Sequence, residues 1–112
     1  MDFSYLSGQT FGDHRLEAEL LGRFLAQGRS LIPRLLDRGA QDDAAHLLRG
    51  SSLAVGATQV TAAVEAYEQA PAHERVADGP LYKELVMSFE RTEAAIETRL
   101  ALLRNQSGDI PS

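Results

Sequence analysis

Three residues in the middle of the chain have types and a spacing that could do chemistry together: His46, Arg49 and Gly50. Residues three and four apart share one face of a helix, so the trio would form a single patch of imidazole, positive charge and bare backbone. A neutral imidazole is a nucleophile, and a neighbouring cation can hold an anionic group transferred to it. The surrounding stretch, Ala45 to Ala57, reads as one helix of about four turns. Its centre is locally unfavourable. Gly50-Ser51-Ser52 lowers helix propensity by about 2 kcal/mol relative to alanine. Steric need accounts for this most simply: Gly50 clears room beside His46 for a large group, and the serines let a neighbouring helix come close.

The elements that must position this patch are helical. Residues 2–7 form a short helix or an extended arm in which Phe3, Tyr5 and Leu6 cover one end of the core, and Ser7-Gly8 breaks it. Asp13 is a good N-cap for the next helix, and Phe11 is expected to pack back on its first turns. Apolar residues from Leu16 to Leu36 recur at helical spacing, so this helix runs to about Arg38 and stops at Gly39. Gly28 and Pro33 interrupt it, and a kink or a break near Arg29–Ile32 is expected because Pro33 offers no N–H.

A short link leads to the helix of His46, capped by Gln41 or Asp42. At about 100° per residue, Ala44, Ala45, Leu48, Ser52 and Val55 fall on one side, and Asp42, His46, Arg49, Gly50 and Leu53 on the other. His46 is therefore expected to face solvent, with Leu53 alongside and Leu47 at the flank. Gly56 ends this helix. Thr58 starts the next, which buries Val60, Ala63, Val64 and Tyr67 and closes at Pro71. Residues 71–80 read as a loop. The last helix runs from about Leu81 to Arg104, with a seam from Tyr82 to Leu103, and residues 105–112 read as a flexible tail. Four substantial helices with short joins make an all-α, up-and-down antiparallel four-helix bundle with a short N-terminal helix or arm. It forms a single domain over residues 1–112, with its core at about 10–104.

The run His46-x-Leu48-x-Gly50-Ser51-Ser52, continued by Gly56-Ala57, resembles the signature of histidine-containing phosphotransfer (HPt) domains, the phosphocarriers of multistep two-component relays. Arg49 stands where the family usually has Lys. The resemblance implies a helical bundle with His46 as phosphoacceptor and Arg49 as the charge that steadies the phosphoryl oxygens. It implies receiver domains of response regulators and a hybrid histidine kinase as partners. No cofactor of its own is expected, because magnesium and the acceptor aspartate belong to the receiver. Leu47, Leu53 and Asp42 would form the docking face around His46. Some family members place a Gln from the following helix beside the histidine. The matching position here is Glu68, with Gln69 next to it, so these two are candidate supporting residues. A carboxylate at Glu68 would repel a phosphoryl group and must point away or act otherwise.

Composition narrows the remaining classes. At 112 residues, with 44% hydrophobic and 24% charged residues, the chain is of ordinary globular make-up and long enough for a core. A net charge of −5, with one Lys and ten scattered Arg, disfavours nucleic acid and anionic membranes. There is no Cys, hence no disulfide framework or thiolate chemistry. His14 and His73 lack partners at metal spacing and read as inert, so no metal site is expected. No apolar run approaches a membrane span, and the acidic N-terminus lacks the regions of a signal peptide, so the cytoplasm is the expected compartment. Met1 and the polar tail point to a free-standing protein, and a monomer is expected. No Gly-rich nucleotide loop is present, so the protein is expected to carry phosphate rather than act as an enzyme. The alternative reading is a non-catalytic adaptor that binds receivers or kinases without carrying phosphate. Such an adaptor has no need of His46.

Overall fold

The computed structural model describes residues 1–106. All regular structure among them is helical: α1 (Ser4–Gln9), α2 (His14–Arg34), α3 (Gln41–Val55), α4 (Thr58–Gln69) and α5 (Pro80–Gln106), with one 3₁₀ turn at Ala72–Glu74. α2 packs on α3, α3 on α4 and α4 on α5, while α5 returns to pack on α2. α1 lies against α2 and α3. No described helix is long and apolar enough to cross a membrane.

The apolar stripes of α2–α5 meet in one core. Leu21, Phe24, Leu48, Val60, Val64, Tyr67, Leu85, Phe89, Ile96 and Leu103 are all buried. Leu6 of α1 closes one end of it, with Phe3 partly buried against the cluster, whereas Tyr5 remains half exposed. Phe24 and Phe89 meet with ring centroids 5.8 Å apart. One turn beyond Phe24, a Cβ at Gly28 would collide with the Phe89 ring. Gly28 does not interrupt α2. It supplies the small surface that lets α2 and α5 close on a large aromatic side chain.

Two further features lock the helices together. Glu17, fully buried in the first turn of α2, receives Arg99 of α5 through Nε at 2.7 Å and Nη2 at 3.1 Å. The hydrogen bond to Glu17 holds the Arg99 guanidinium above its ordinary pKa, against the opposing effect of burial. Arg99 also sits 5.5 Å from the Phe3 ring centroid, which ties the N-terminal segment to α5.

Several boundaries differ from those expected. Ser7-Gly8 does not break α1, which continues to Gln9. The turn comes later, where Phe11 (φ 53°) and Gly12 (φ 76°) are both left-handed. That turn swings Phe11 outward to 97% exposure, so it does not pack on α2. Asp13 does cap α2, accepting the Leu16 N–H at 3.1 Å. α2 ends at Arg34 rather than Arg38 and runs as one helix to that point. Pro33 lies in its last turn, so α2 forgoes the one hydrogen bond from residue 33 to the Arg29 carbonyl just before it ends. The chain tightens immediately afterwards, as Leu35 N–H donates to the Ile32 carbonyl and Leu36 N–H to the Pro33 carbonyl. Neither Gln41 nor Asp42 caps α3. Ala40 holds the N-cap position without a side-chain bond, Gln41 is buried and donates to the Leu35 carbonyl, and Asp42 lies in the first turn. Asn105 and Gln106 belong to α5, and the rest of the expected tail, from residue 107, lies outside the described residues.

Candidate functional site

α3 presents the two faces expected of it. Ala44, Ala45, Leu48, Ser52 and Val55 are buried, whereas Asp42, His46, Gly50 and Leu53 are exposed and Arg49 is partly so. Ser52 is held in the core side by hydrogen bonds to the Arg49 carbonyl (2.8 Å) and to Thr61 Oγ1 of α4 (2.7 Å). Ser51 bonds Gln27 of α2 at 2.7 Å. The two serines thus fasten α3 to its neighbours on either side, leaving the ridge between them to His46, Arg49 and Gly50. Gly56 ends α3 in the left-handed conformation (φ 75°), with the Ala57 N–H returning to the Ser52 carbonyl.

His46 stands on the second turn of this ridge. Its ring is exposed and makes no hydrogen bond with the described residues. Four residues on, a Cβ built at Gly50 meets no atom within 4 Å. Close helix packing therefore does not explain this glycine. The space above it is open and continuous with the imidazole.

The ridge separates two shallow grooves. On one side Leu47, Gly50 and His46 face Leu20, Arg23 and Gln27 of α2. On the other, Leu53 faces Tyr5 of α1 and Ala62 and Glu65 of α4. Leu47 and Leu53 are each slightly more than half exposed, at 53% and 54%, but they line opposite grooves instead of forming one rim. The helical net gives the reason: they lie on opposite sides of His46, about 120° apart around the axis.

The α4 side of the ridge carries a charge network. Arg49 Nε lies 3.3 Å from Glu68 Oε1, so Glu68 does not point away but acts otherwise, as the ion-pair partner of Arg49. Gln69 is exposed, and its side chain makes no hydrogen bond with the described residues. Arg75, in the stretch between α4 and α5, donates from Nη2 to the Glu68 carbonyl at 2.6 Å and from Nε to the Ala70 carbonyl at 3.1 Å. It thereby satisfies the last carbonyls of α4, where a cation also suits the helix dipole. Its Nη1 reaches Asp42 at 2.8 Å, so one carboxylate oxygen of Asp42 is already engaged. The Arg75 guanidinium stacks 5.4 Å from the Tyr67 ring centroid. Tyr67 donates its hydroxyl to the Leu35 carbonyl at 2.6 Å. Burial raises the Tyr67 phenol above its ordinary pKa, against the opposing charge of Arg75.

Arg75 is the site-region residue that periodicity could not find. It sits among turn residues with no repeating pattern, and its contacts span 33 residues to Asp42. Among the described residues there is no group of three or more His, Asp or Glu able to hold a metal ion. Comparison of the chain with protein-family models, with curated proteins and with solved structures returned no match.

Proposed function

We propose that this protein is a histidine phosphotransfer protein of the HPt type, carrying a phosphoryl group on His46 between receiver-domain aspartates. The observation that carries the reading is an exposed, unbonded imidazole beside a cation and open space over Gly50. A ring nitrogen of His46 uses its lone pair to attack the phosphorus of an aspartyl phosphate. The N–P bond forms as the acyl P–O bond breaks, and that electron pair leaves with the receiver carboxylate. The other ring nitrogen keeps its proton, so the total charge is conserved. The reverse step returns the group to a second receiver. Positioning and charge stabilisation carry such a transfer, and here they fall to α3 and Arg49. Magnesium would reside on the receiver, and this chain would need no cofactor.

In this reading α2–α5, joined through residues 35–40, 56–57 and 70–79 and packed in a closed ring, form an up-and-down antiparallel four-helix bundle with α1 across one end. Leu47 and Leu53 offer a receiver two apolar contacts, one on each side of the ridge, with Asp42 at its N-terminal end. The chain works as a cytoplasmic monomer that receives phosphate in a relay begun by a hybrid histidine kinase. It is a carrier, not an enzyme.

Incubation with phosphorylated receiver domains tests the reading. His46 should acquire an acid-labile, alkali-stable phosphoryl group, and His46→Gln should abolish it while leaving receiver binding intact. If the wild-type chain binds receivers but never takes up phosphate, the adaptor reading replaces this one.

A further inference from the structure

We infer that Glu68 competes with the phosphoryl group on His46 for Arg49, and so biases the site toward passing phosphate on. The inference rests on the phosphocarrier reading and concerns a positioning residue for that reaction. The Arg49 guanidinium is the cation on the His46 ridge, and its Nε is engaged by Glu68 at 3.3 Å. Both side chains are partly exposed, at 37% for Arg49 and 29% for Glu68, so the pair can open without unpacking the core. The partner is not there by accident of a floppy side chain. Arg75 grips the Glu68 carbonyl at 2.6 Å and the Ala70 carbonyl at 3.1 Å, then reaches across to Asp42 of α3 at 2.8 Å. This clamp joins the end of α4 to the start of α3 and sets Glu68 opposite Arg49.

Two consequences follow for a phosphoryl group on His46. Glu68 already draws on the Arg49 charge at Nε, so phosphoryl oxygens reached by the Nη donors meet a cation that is partly neutralised. The Glu68 carboxylate then remains near a dianion, where like charges repel. Both effects destabilise the phosphorylated state and leave the unmodified state unaffected or favoured. The equilibrium between phosphohistidine and aspartyl phosphate shifts toward the receiver. No extra reactant is required, because the bonds made and broken are those of the transfer itself.

Glu68→Gln keeps the shape and the backbone carbonyl held by Arg75, but removes the charge. The test is the equilibrium ratio of labelled His46 to labelled receiver, measured with the full chain and one receiver domain at low salt. One carboxylate acting on a dianion across a partly wet surface corresponds to a shift of about three- to tenfold toward His46. In an Arg49→Gln background, where Glu68 has no cation to withhold, the Glu68→Gln shift should shrink. Glu68→Ala should reproduce the direction, and thermal unfolding checks that each variant is folded. A folded Glu68→Gln protein whose ratio equals that of the wild type overturns this inference while the carrier reading stands. An equal Glu68→Gln shift with and without Arg49 overturns the competition. Failure of the wild-type chain to take up any label on His46 overturns both.

Discussion

Gly50 provides the sharpest test of how the ridge is used. It is an exposed residue in the interior of α3, and a Cβ there meets no atom within 4 Å. Replacing Gly by Ala in a helix interior is favourable by about 1 kcal/mol when nothing opposes it. Gly50→Ala should therefore stabilise the isolated protein by about 1 kcal/mol, which raises Tm by about 4 °C for a domain of this size. Far-UV circular dichroism during thermal unfolding measures it. If the open space is occupied during phosphotransfer, the same substitution must cost function. Gly50→Gln, which also favours the helix, should cost more because its longer side chain fills the space beside His46. A tenfold fall in the rate of transfer from a phosphorylated receiver, about 1.4 kcal/mol of barrier, is expected for Gly50→Gln, with a smaller fall for Gly50→Ala. A more stable but slower protein is the signature. Two results would refute the reasoning. A lowered Tm in Gly50→Ala would mean that the glycine has a packing role. Wild-type transfer rates in both variants would mean that the space is not used.

Gly28→Ala should do the opposite of Gly50→Ala and destabilise by about 1–3 kcal/mol despite better helix propensity, because its Cβ would collide with the buried Phe89 ring; denaturant titration of both variants compares them directly. Arg99→Ala leaves the fully buried Glu17 carboxylate without its partner and should cost about 3–5 kcal/mol in the same titration. Tyr67→Phe removes the hydroxyl donated to the Leu35 carbonyl and should cost about 1 kcal/mol at neutral pH. The Tyr67 proton is held more tightly in the folded than in the unfolded chain, so its contribution is fully present below about pH 10 and is lost as the pH rises from there through the folded-state value. Tyr67→Phe should flatten that alkaline decline, and melting curves recorded from pH 8 to 11 read the slope.

The parts of this protein written in its sequence are those that depend on neighbours along one helix. A period of 3.6 residues per turn decides that His46, Arg49 and Gly50 share a face and that Ala45, Leu48, Ser52 and Val55 share the other, whatever α3 packs against. The Asp13 cap and the Gly56 terminus are equally local, one a side-chain acceptor for a free N–H and the other a left-handed φ that glycine tolerates. Tertiary structure decided the rest, because packing sets how each helix is rotated and shifted against the next. It turned Glu68 toward Arg49, brought Arg75 from an unpatterned stretch to Asp42, and put Leu47 and Leu53 on separate grooves. It made Gly28 a seat for Phe89 instead of a weak point in α2, and sent Phe11 into solvent. Spacing along the chain gave the ridge its histidine and its cation. Only the meeting of α3 with α4 gave that cation a carboxylate partner, since a charge pair between helices depends on the distance across the packed interface and not on any period within either one.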